Sequence, residues 1–100
     1  MAIQERRVQK GVKEEKAYLE WEQKWETIEK RLGGFPTKRH YSLISGSDDS
    51  GTVVWEREWD NFAAMEAGYG KLWADPEAQR LGASAAGIYS GERIEYYAVS

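Results

Sequence analysis

The chain of 100 residues contains no cysteine, and this absence excludes disulfides, thiolate nucleophiles and thiolate metal ligands. Basic residues are not in surplus, because the formal net charge is −3 at pH 7, which argues against a nucleic-acid partner. No apolar run approaches the roughly 20 residues that span a bilayer, and the charged start MAIQERRVQK is unlike a signal peptide. We therefore expect a soluble cytoplasmic protein with no membrane span.

Histidine is nearly absent as well, since His40 is the only one. A histidine-based catalytic or metal site would have to use it, yet no H-x-x-x-H or H-x-E spacing supports a metal ligand set. We assign no metal and no cofactor, and we keep His40 only as a weak catalytic candidate. The glycine-rich run GSDDSG, residues 46–51, lacks the lysine of a phosphate-binding loop, so it predicts a hairpin turn instead.

Aromatic residues, by contrast, are abundant at 13% of the chain, with five Trp and six Tyr. Each such ring buries roughly 150–250 Å² when packed, and a lone domain of this length has a limited interior. We expect some of the rings to lie in a pocket or in a subunit interface. Length and composition predict a single domain over residues 1–100.

The pattern along the chain predicts four strands and three helices. Residues 2–11 are mostly charged and alternate, which predicts a weak strand at an edge or partly exposed. Apolar residues three and four positions apart predict a helix over 13–32, and two strands with a hairpin loop follow at 37–45 and 52–59. Asp60 is the expected N-cap of a second helix. Asp75 and Pro76 predict a short helix over 76–85, before a last strand within 88–99.

This order is that of a ferredoxin-like βαββαβ domain, an α+β fold with a four-stranded antiparallel sheet and its helices on one face. On the third strand, Val53, Trp55, Arg57 and Trp59 alternate with Thr52, Val54, Glu56 and Glu58, so neither face is purely polar. A sheet that exposes one face to water normally has a polar second face. We therefore expect a second copy of the chain to cover that face, which gives a homodimer.

The run GTVVWEREWDNFAAMEAGYGKLWADPEAQRL joins a strand with Trp and Glu, a small-residue helix and a short D-P-E helix. In these features the chain resembles the NIPSNAP-like members of the dimeric α/β-barrel superfamily. The resemblance implies two four-stranded sheets that meet face to face around a central cavity. The superfamily also contains heme-degrading enzymes, but the Asn expected on the first strand and the His expected on the second helix are absent here.

The first functional hypothesis is a homodimeric domain that binds a small apolar or aromatic molecule in the inter-sheet cavity. Five aromatic residues on strands are the candidate ligand-binding residues: Tyr41, Trp55, Trp59, Tyr96 and Tyr97. Core packing and dimer contacts explain the same residues equally well, because interfaces are themselves enriched in Trp and Tyr.

Two other hypotheses stay open. One is a cofactor-independent monooxygenase or isomerase in which Glu56 or Glu58 acts as the base near Arg7 or His40. In that hypothesis Arg57 and tyrosine residues orient the substrate. The other is a structural or interaction protein that acts through its dimer surface.

Overall fold

The computed structural model describes residues 1–46, 48 and 51–100, so the hairpin turn expected at 46–51 lies partly outside the described residues. The strands are β1 (Ile3–Lys10), β2 (Arg39–Ser42), β3 (Val53–Trp59) and β4 (Gly91–Ala98). The helices are α1 (Glu15–Leu32), α2 (Phe62–Ala74) and α3 (Pro76–Ala83), and a 3-10 turn over Ala85–Gly87 leads into β4. In the described part of the chain, none of the helices is both long enough and apolar enough to cross a membrane.

The four strands form one antiparallel sheet in the order β2-β3-β1-β4. This is the topology of the ferredoxin-like fold, so the predicted α+β class is confirmed. The prediction that β1 is an edge strand is wrong, since β1 lies between β3 and β4. The alternative of a partly exposed strand agrees with the structure, since the Arg6 and Lys10 side chains are 38% and 44% exposed. Glu5 is completely buried, and arginine side chains balance its charge inside the protein.

The apolar stripe of α1 packs toward the sheet, as the spacing predicted. Tyr18, Trp21, Trp25 and Ile28 are all buried. Gly33 ends the helix with a φ of 80°, a conformation that glycine adopts without the steric penalty of a β-carbon, and its N–H donates to the carbonyl oxygen of Glu29. The helix thus ends where its sequence signals place it.

The N-cap of α2 differs from the prediction. Asn61, not Asp60, holds this position, and its side-chain oxygen accepts a hydrogen bond of 2.8 Å from the Ala64 N–H. Asn and Asp are equally suitable caps, so a one-residue ambiguity is expected for the pair. At α3 the prediction is confirmed, because Asp75 caps the N–H of Ala78 at 3.0 Å and Pro76 opens the helix.

The register defines two faces of the sheet, which we call the helix-covered face and the open face. Glu5 lies opposite Arg57 on one side and Tyr96 on the other, so these three residues belong to the helix-covered face. Arg6 lies opposite Glu56 and therefore belongs to the open face. The alternation predicted for β3 is confirmed, since Trp55, Arg57 and Trp59 are buried beneath the helices.

Two glycines of α2 provide a matched test of how closely this helix approaches the sheet. A β-carbon on Gly68 would lie 2.8 Å from Cη2 of the buried Trp59, whereas one on Gly70 meets no atom within 4 Å. We expect Gly68→Ala to lower the free energy of unfolding by about 1–3 kcal/mol through overpacking. Gly70→Ala should raise it by up to about 1 kcal/mol, because alanine favours helix. Urea denaturation measures both, and equal effects would contradict this packing.

Candidate functional site

A partly enclosed cavity of about 150 Å³ lies between the helix-covered face and the helices. Six aromatic side chains contribute to its wall: Trp21, Trp25, Trp55, Tyr69, Trp73 and Tyr89. Several of these rings also pack against each other. Trp25 contacts Trp21 and Trp73 edge to face, with ring centres 5.9 and 6.3 Å apart. Such contacts hold the rings in place, so the aromatic part of the wall is already formed.

The floor of the cavity is an ion cluster centred on Glu5 of β1. Its carboxylate accepts hydrogen bonds from Arg7 Nε at 2.9 Å, from Arg57 Nε at 3.0 Å, from Trp59 Nε1 at 2.9 Å and from the Tyr69 hydroxyl. Burial by itself raises the pKa of this carboxyl. The positive charges of Arg57 and Arg7, with the bonds from Tyr69 and Trp59, outweigh that effect and lower the pKa below its ordinary value of 4.5.

Tyr69 of α2 joins both arginines to the carboxylate. Its oxygen accepts from Arg57 Nη2 at 2.7 Å and from Arg7 Nη2 at 3.2 Å, while its O–H donates to Glu5. Burial raises the pKa of Tyr69, although the two guanidinium charges oppose the shift. The side chain is therefore a neutral phenol at physiological pH, with its hydroxyl fully engaged in the cluster.

A second group of charges borders the cavity beside α1. Lys38 Nζ lies 3.2 Å from Glu22 Oε2 and 3.7 Å from Glu29 Oε2, and His40 Nε2 lies 3.1 Å from the same Glu22 oxygen. Burial alone raises the pKa of Glu22. The hydrogen bond with His40 and the charge of Lys38 reverse this, so that the pKa lies below its ordinary value. Arg57 completes the link between the two groups, because its Nη1 donates to Glu29 at 2.9 Å.

Trp55 of β3 lies where these charges converge. Lys38 Nζ is 4.4 Å from the ring centre, and the guanidinium carbons of Arg57 and Arg7 are 4.9 and 5.4 Å from it. The residue is only 3% exposed. Its Nε1–H is buried and has no hydrogen-bond partner among the described residues. An unpaired buried donor of this kind is uncommon in native proteins and calls for a physical explanation.

The structure separates the five aromatic residues that the sequence proposed as one ligand site. Trp55 lines the cavity, and Trp59 is buried beneath Tyr69 with its indole N–H on Glu5. Tyr96 is half-exposed on the helix-covered face, whereas Tyr41 and Tyr97 lie on the open face. The cavity with the aromatic wall is bounded by the sheet and its own helices, whereas a separate pocket lined by Tyr41, Glu56 and Glu58 lies on the open face.

The expected proximity of Glu56 or Glu58 to Arg7 or His40 is wrong. Side chains alternate along β3, so both glutamates point to the open face, where Glu56 lies 3.7 Å from Arg6. His40 pairs with Trp55 in the register and contacts Glu22 beneath the helices. Of the weak catalytic candidates, only Arg57 lines the cavity directly.

Several residues of the site, Glu5, Glu22 and Glu29 among them, were not foreseen from the sequence, whereas Arg7 was named there only as a possible neighbour of the base. On β1, Glu5 and Arg7 occur two positions apart, a spacing that puts both on one face of a strand. On α1, Glu22 and Glu29 are seven positions apart and follow Trp21 and Ile28 directly, so they fall at the border of the apolar stripe. The signal that could have indicated these residues was the position of charged side chains on one strand face and at the border of an apolar helix stripe.

Removal of the central carboxylate provides a test of the ion cluster. We expect Glu5→Gln to lower the free energy of unfolding at neutral pH by about 3–5 kcal/mol, because two buried arginines lose a charged partner. Glu20→Gln, on the exposed face of α1, removes the same charge and should change stability by less than about 0.5 kcal/mol. Denaturant titrations of both variants against the unmodified protein give the comparison.

The same cluster predicts how the free energy of unfolding decreases at acidic pH. The folded pKa values of Glu5 and Glu22 lie below 4.5, so their contribution is present above the unfolded pKa and is lost as the pH falls through the folded values. The unfolding free energy should therefore decrease below about pH 4.5, and this decrease should be shallower in Glu5→Gln. An identical decrease in the variant would show that Glu5 does not titrate as described.

No protein-family model matches the sequence, and no curated protein matches it significantly. Solved structures with this fold do exist. A NIPSNAP family protein from Agrobacterium tumefaciens superimposes over 100% of this chain and 94% of its own, with a TM-score of 0.78 at 14% identity. An uncharacterized NIPSNAP domain protein from Burkholderia xenovorans covers 100% and 95%, with a TM-score of 0.70 at 16% identity.

A third similar structure has a different description. It is a putative antibiotic biosynthesis monooxygenase from Deinococcus radiodurans, which covers 100% of this chain and 93% of its own, with a TM-score of 0.60 at 15% identity. Identities this low establish the fold and leave the activity open. The resemblance stated from the sequence is confirmed at that level: this chain has the ferredoxin-like fold that NIPSNAP family proteins share.

Proposed function

We propose that this protein is a binding domain that holds a small, flat, apolar or aromatic molecule in the cavity between its sheet and its helices. The observation that carries the proposal is the cavity of about 150 Å³ with six aromatic side chains in its wall. Ligand sites are typically concave and mostly apolar, with a few polar groups that orient the ligand. The site differs from the inter-sheet cavity expected from the sequence, but the class of ligand is the same.

The charged groups favour binding over proton-transfer chemistry. A general base works best with a pKa near the operating pH. The pKa values of Glu5 and Glu22 are instead held low, and both carboxylates already accept hydrogen bonds from side chains of the cluster. The oxygenase or isomerase alternative has the fold likeness to a putative monooxygenase as its support. Glu56 and Glu58, its proposed bases, lie outside the cavity.

Two alanines of the 3-10 turn give a direct test of the cavity. Ala85 lines it, whereas Ala86 is exposed in the same turn. We expect Ala85→Leu to fill the space and to abolish binding of neutral aromatic fragments, while Ala86→Leu binds them like the unmodified protein. Ligand-observed NMR with such a fragment panel, together with thermal shifts, measures this. No binding by the unmodified protein, or equal binding by both variants, would reject the proposed site.

We also propose that the chain forms a homodimer through the open face. Tyr41, Tyr97 and Val99 are 43%, 48% and 42% exposed on this side of the sheet, which is more apolar surface than a solvated sheet face usually presents. Charges of both signs lie among them, with Arg6 near Glu56 and Glu95. A two-fold interface needs such a self-complementary surface, because the same patch occurs on both partners.

Adjacent tyrosines of β4 offer a matched pair for the dimer. Tyr97 is 48% exposed on the open face, and Tyr96 is 49% exposed on the helix-covered face. We expect Tyr97→Glu to shift the mass found by sedimentation equilibrium toward the monomer, because it buries an unpaired carboxylate in the interface. Tyr96→Glu should leave the mass unchanged. A monomeric unmodified protein would contradict the proposal at once.

A further inference from the structure

The cavity has three cationic residues in its wall and so looks like an anion site, but its charges are already balanced. Arg7 pairs with Glu5 and Glu92, and Lys38 pairs with Glu22 and Glu29. Arg57 pairs with Glu5 and Glu29 in turn. Three permanent positive charges thus face four carboxylates. An additional anion finds no unmatched cation there, and a buried unpaired charge is strongly unfavourable.

The hydrogen-bonding groups of the cluster are not balanced in this way, because donors outnumber free acceptors. The Glu5 carboxylate has about four acceptor sites, and it receives four donors, two on each oxygen. A guanidinium has five N–H groups, and Arg7 uses three of them on side chains in the described ranges. Arg57 likewise uses three. The wall therefore has spare donors, while its central acceptor is fully used.

Trp55 adds the most distinctive of these donors, because its Nε1–H has less than 1 Å² of accessible surface and no partner in the part of the chain described, so a ligand oxygen reaches it after a small shift of the ring. Three cationic groups surround the ring within 5.4 Å of its centre. The indole N–H itself attracts an atom with a partial negative charge, because it is a hydrogen-bond donor. A neutral carbonyl oxygen has that partial charge and accepts a hydrogen bond, yet it adds no net charge to the balanced cluster.

From these two comparisons we infer that the ligand is an uncharged flat molecule with a carbonyl-type oxygen that accepts a hydrogen bond from Trp55 Nε1–H. The inference rests on the proposed binding function and names the chemical class of its ligand. The aromatic wall contacts the flat body of the molecule, and the donor-rich floor orients its oxygen. Carboxylates of the same size are excluded by the four carboxylates already present.

Three probes of nearly equal shape test the ligand class. Acetophenone has the carbonyl, α-methylstyrene replaces the oxygen with a methylene group, and benzoate adds a negative charge. We expect the unmodified protein to bind acetophenone about tenfold more tightly than α-methylstyrene, as a buried donor that gains its acceptor would give. Benzoate should bind more weakly than either. Titrations followed by NMR at neutral pH measure the three affinities.

Tryptophan variants test the donor. Trp55→Phe keeps an aromatic ring and removes the N–H, so it should lower the affinity for acetophenone relative to that for α-methylstyrene about tenfold. Trp21→Phe is the control, because Trp21 also lines the cavity but its Nε1–H already donates to Ser84 Oγ at 3.0 Å and to the Leu81 carbonyl oxygen. It should not alter the ratio between the two probes.

The outcomes separate this inference from the proposed function. If none of the three probes binds, the proposed binding function fails. If α-methylstyrene binds as tightly as acetophenone, or benzoate binds best, the cavity is a ligand site but the inferred class is wrong. A selectivity for acetophenone that persists in Trp55→Phe would overturn the role of Trp55. If this variant does not fold, the probe ratio in the unmodified protein still decides the ligand class.

Discussion

The structure is organised around one buried carboxylate. Glu5 has no exposed surface, so its negative charge must be matched by donors that the fold brings to it. Those donors come from three elements: Arg7 from β1, Arg57 and Trp59 from β3, and Tyr69 from α2. Glu5 therefore links side chains of the central strand pair to a side chain of the second helix. Removing Glu5 leaves Arg7 and Arg57 each without one of its two carboxylate partners, which favours this one arrangement.

The cavity follows from the same constraint. Arg57 and Arg7 stay near the floor because they are bonded to Glu5 and Tyr69, and Lys38 stays at the wall because it is bonded to Glu22. These side chains satisfy one another and do not collapse into the remaining space. Above them, Trp25 packs edge to face against Trp21 and Trp73. These rings are rigid, so they cannot fill an irregular gap as a flexible aliphatic chain does. A polar floor and an aromatic roof thus leave room between them.

The order of the elements, the ferredoxin-like fold and the two faces of β3 could be predicted, since each depends on local spacing or on turn residues. The position of β1 could not, because a strand with Glu5, Arg6 and Arg7 looks solvent-exposed until the partners of those charges are known. The sequence likewise predicts a ligand site between two sheets, not between the sheet and its helices. Alternation shows that Trp55 and Glu56 lie on opposite faces, but it does not show which face the helices cover.

Because its charges are balanced and one donor is unused, the cavity favours an uncharged hydrogen-bond acceptor. The residue composition of the cavity alone does not indicate this preference. Arginine and lysine in a pocket usually suggest an anionic ligand, but Arg57 and Lys38 are already neutralised by Glu29 and Glu22. What the cluster leaves available is hydrogen-bond donation, most clearly at Trp55. The ion cluster that stabilises the fold thereby also determines which polar group a ligand must present.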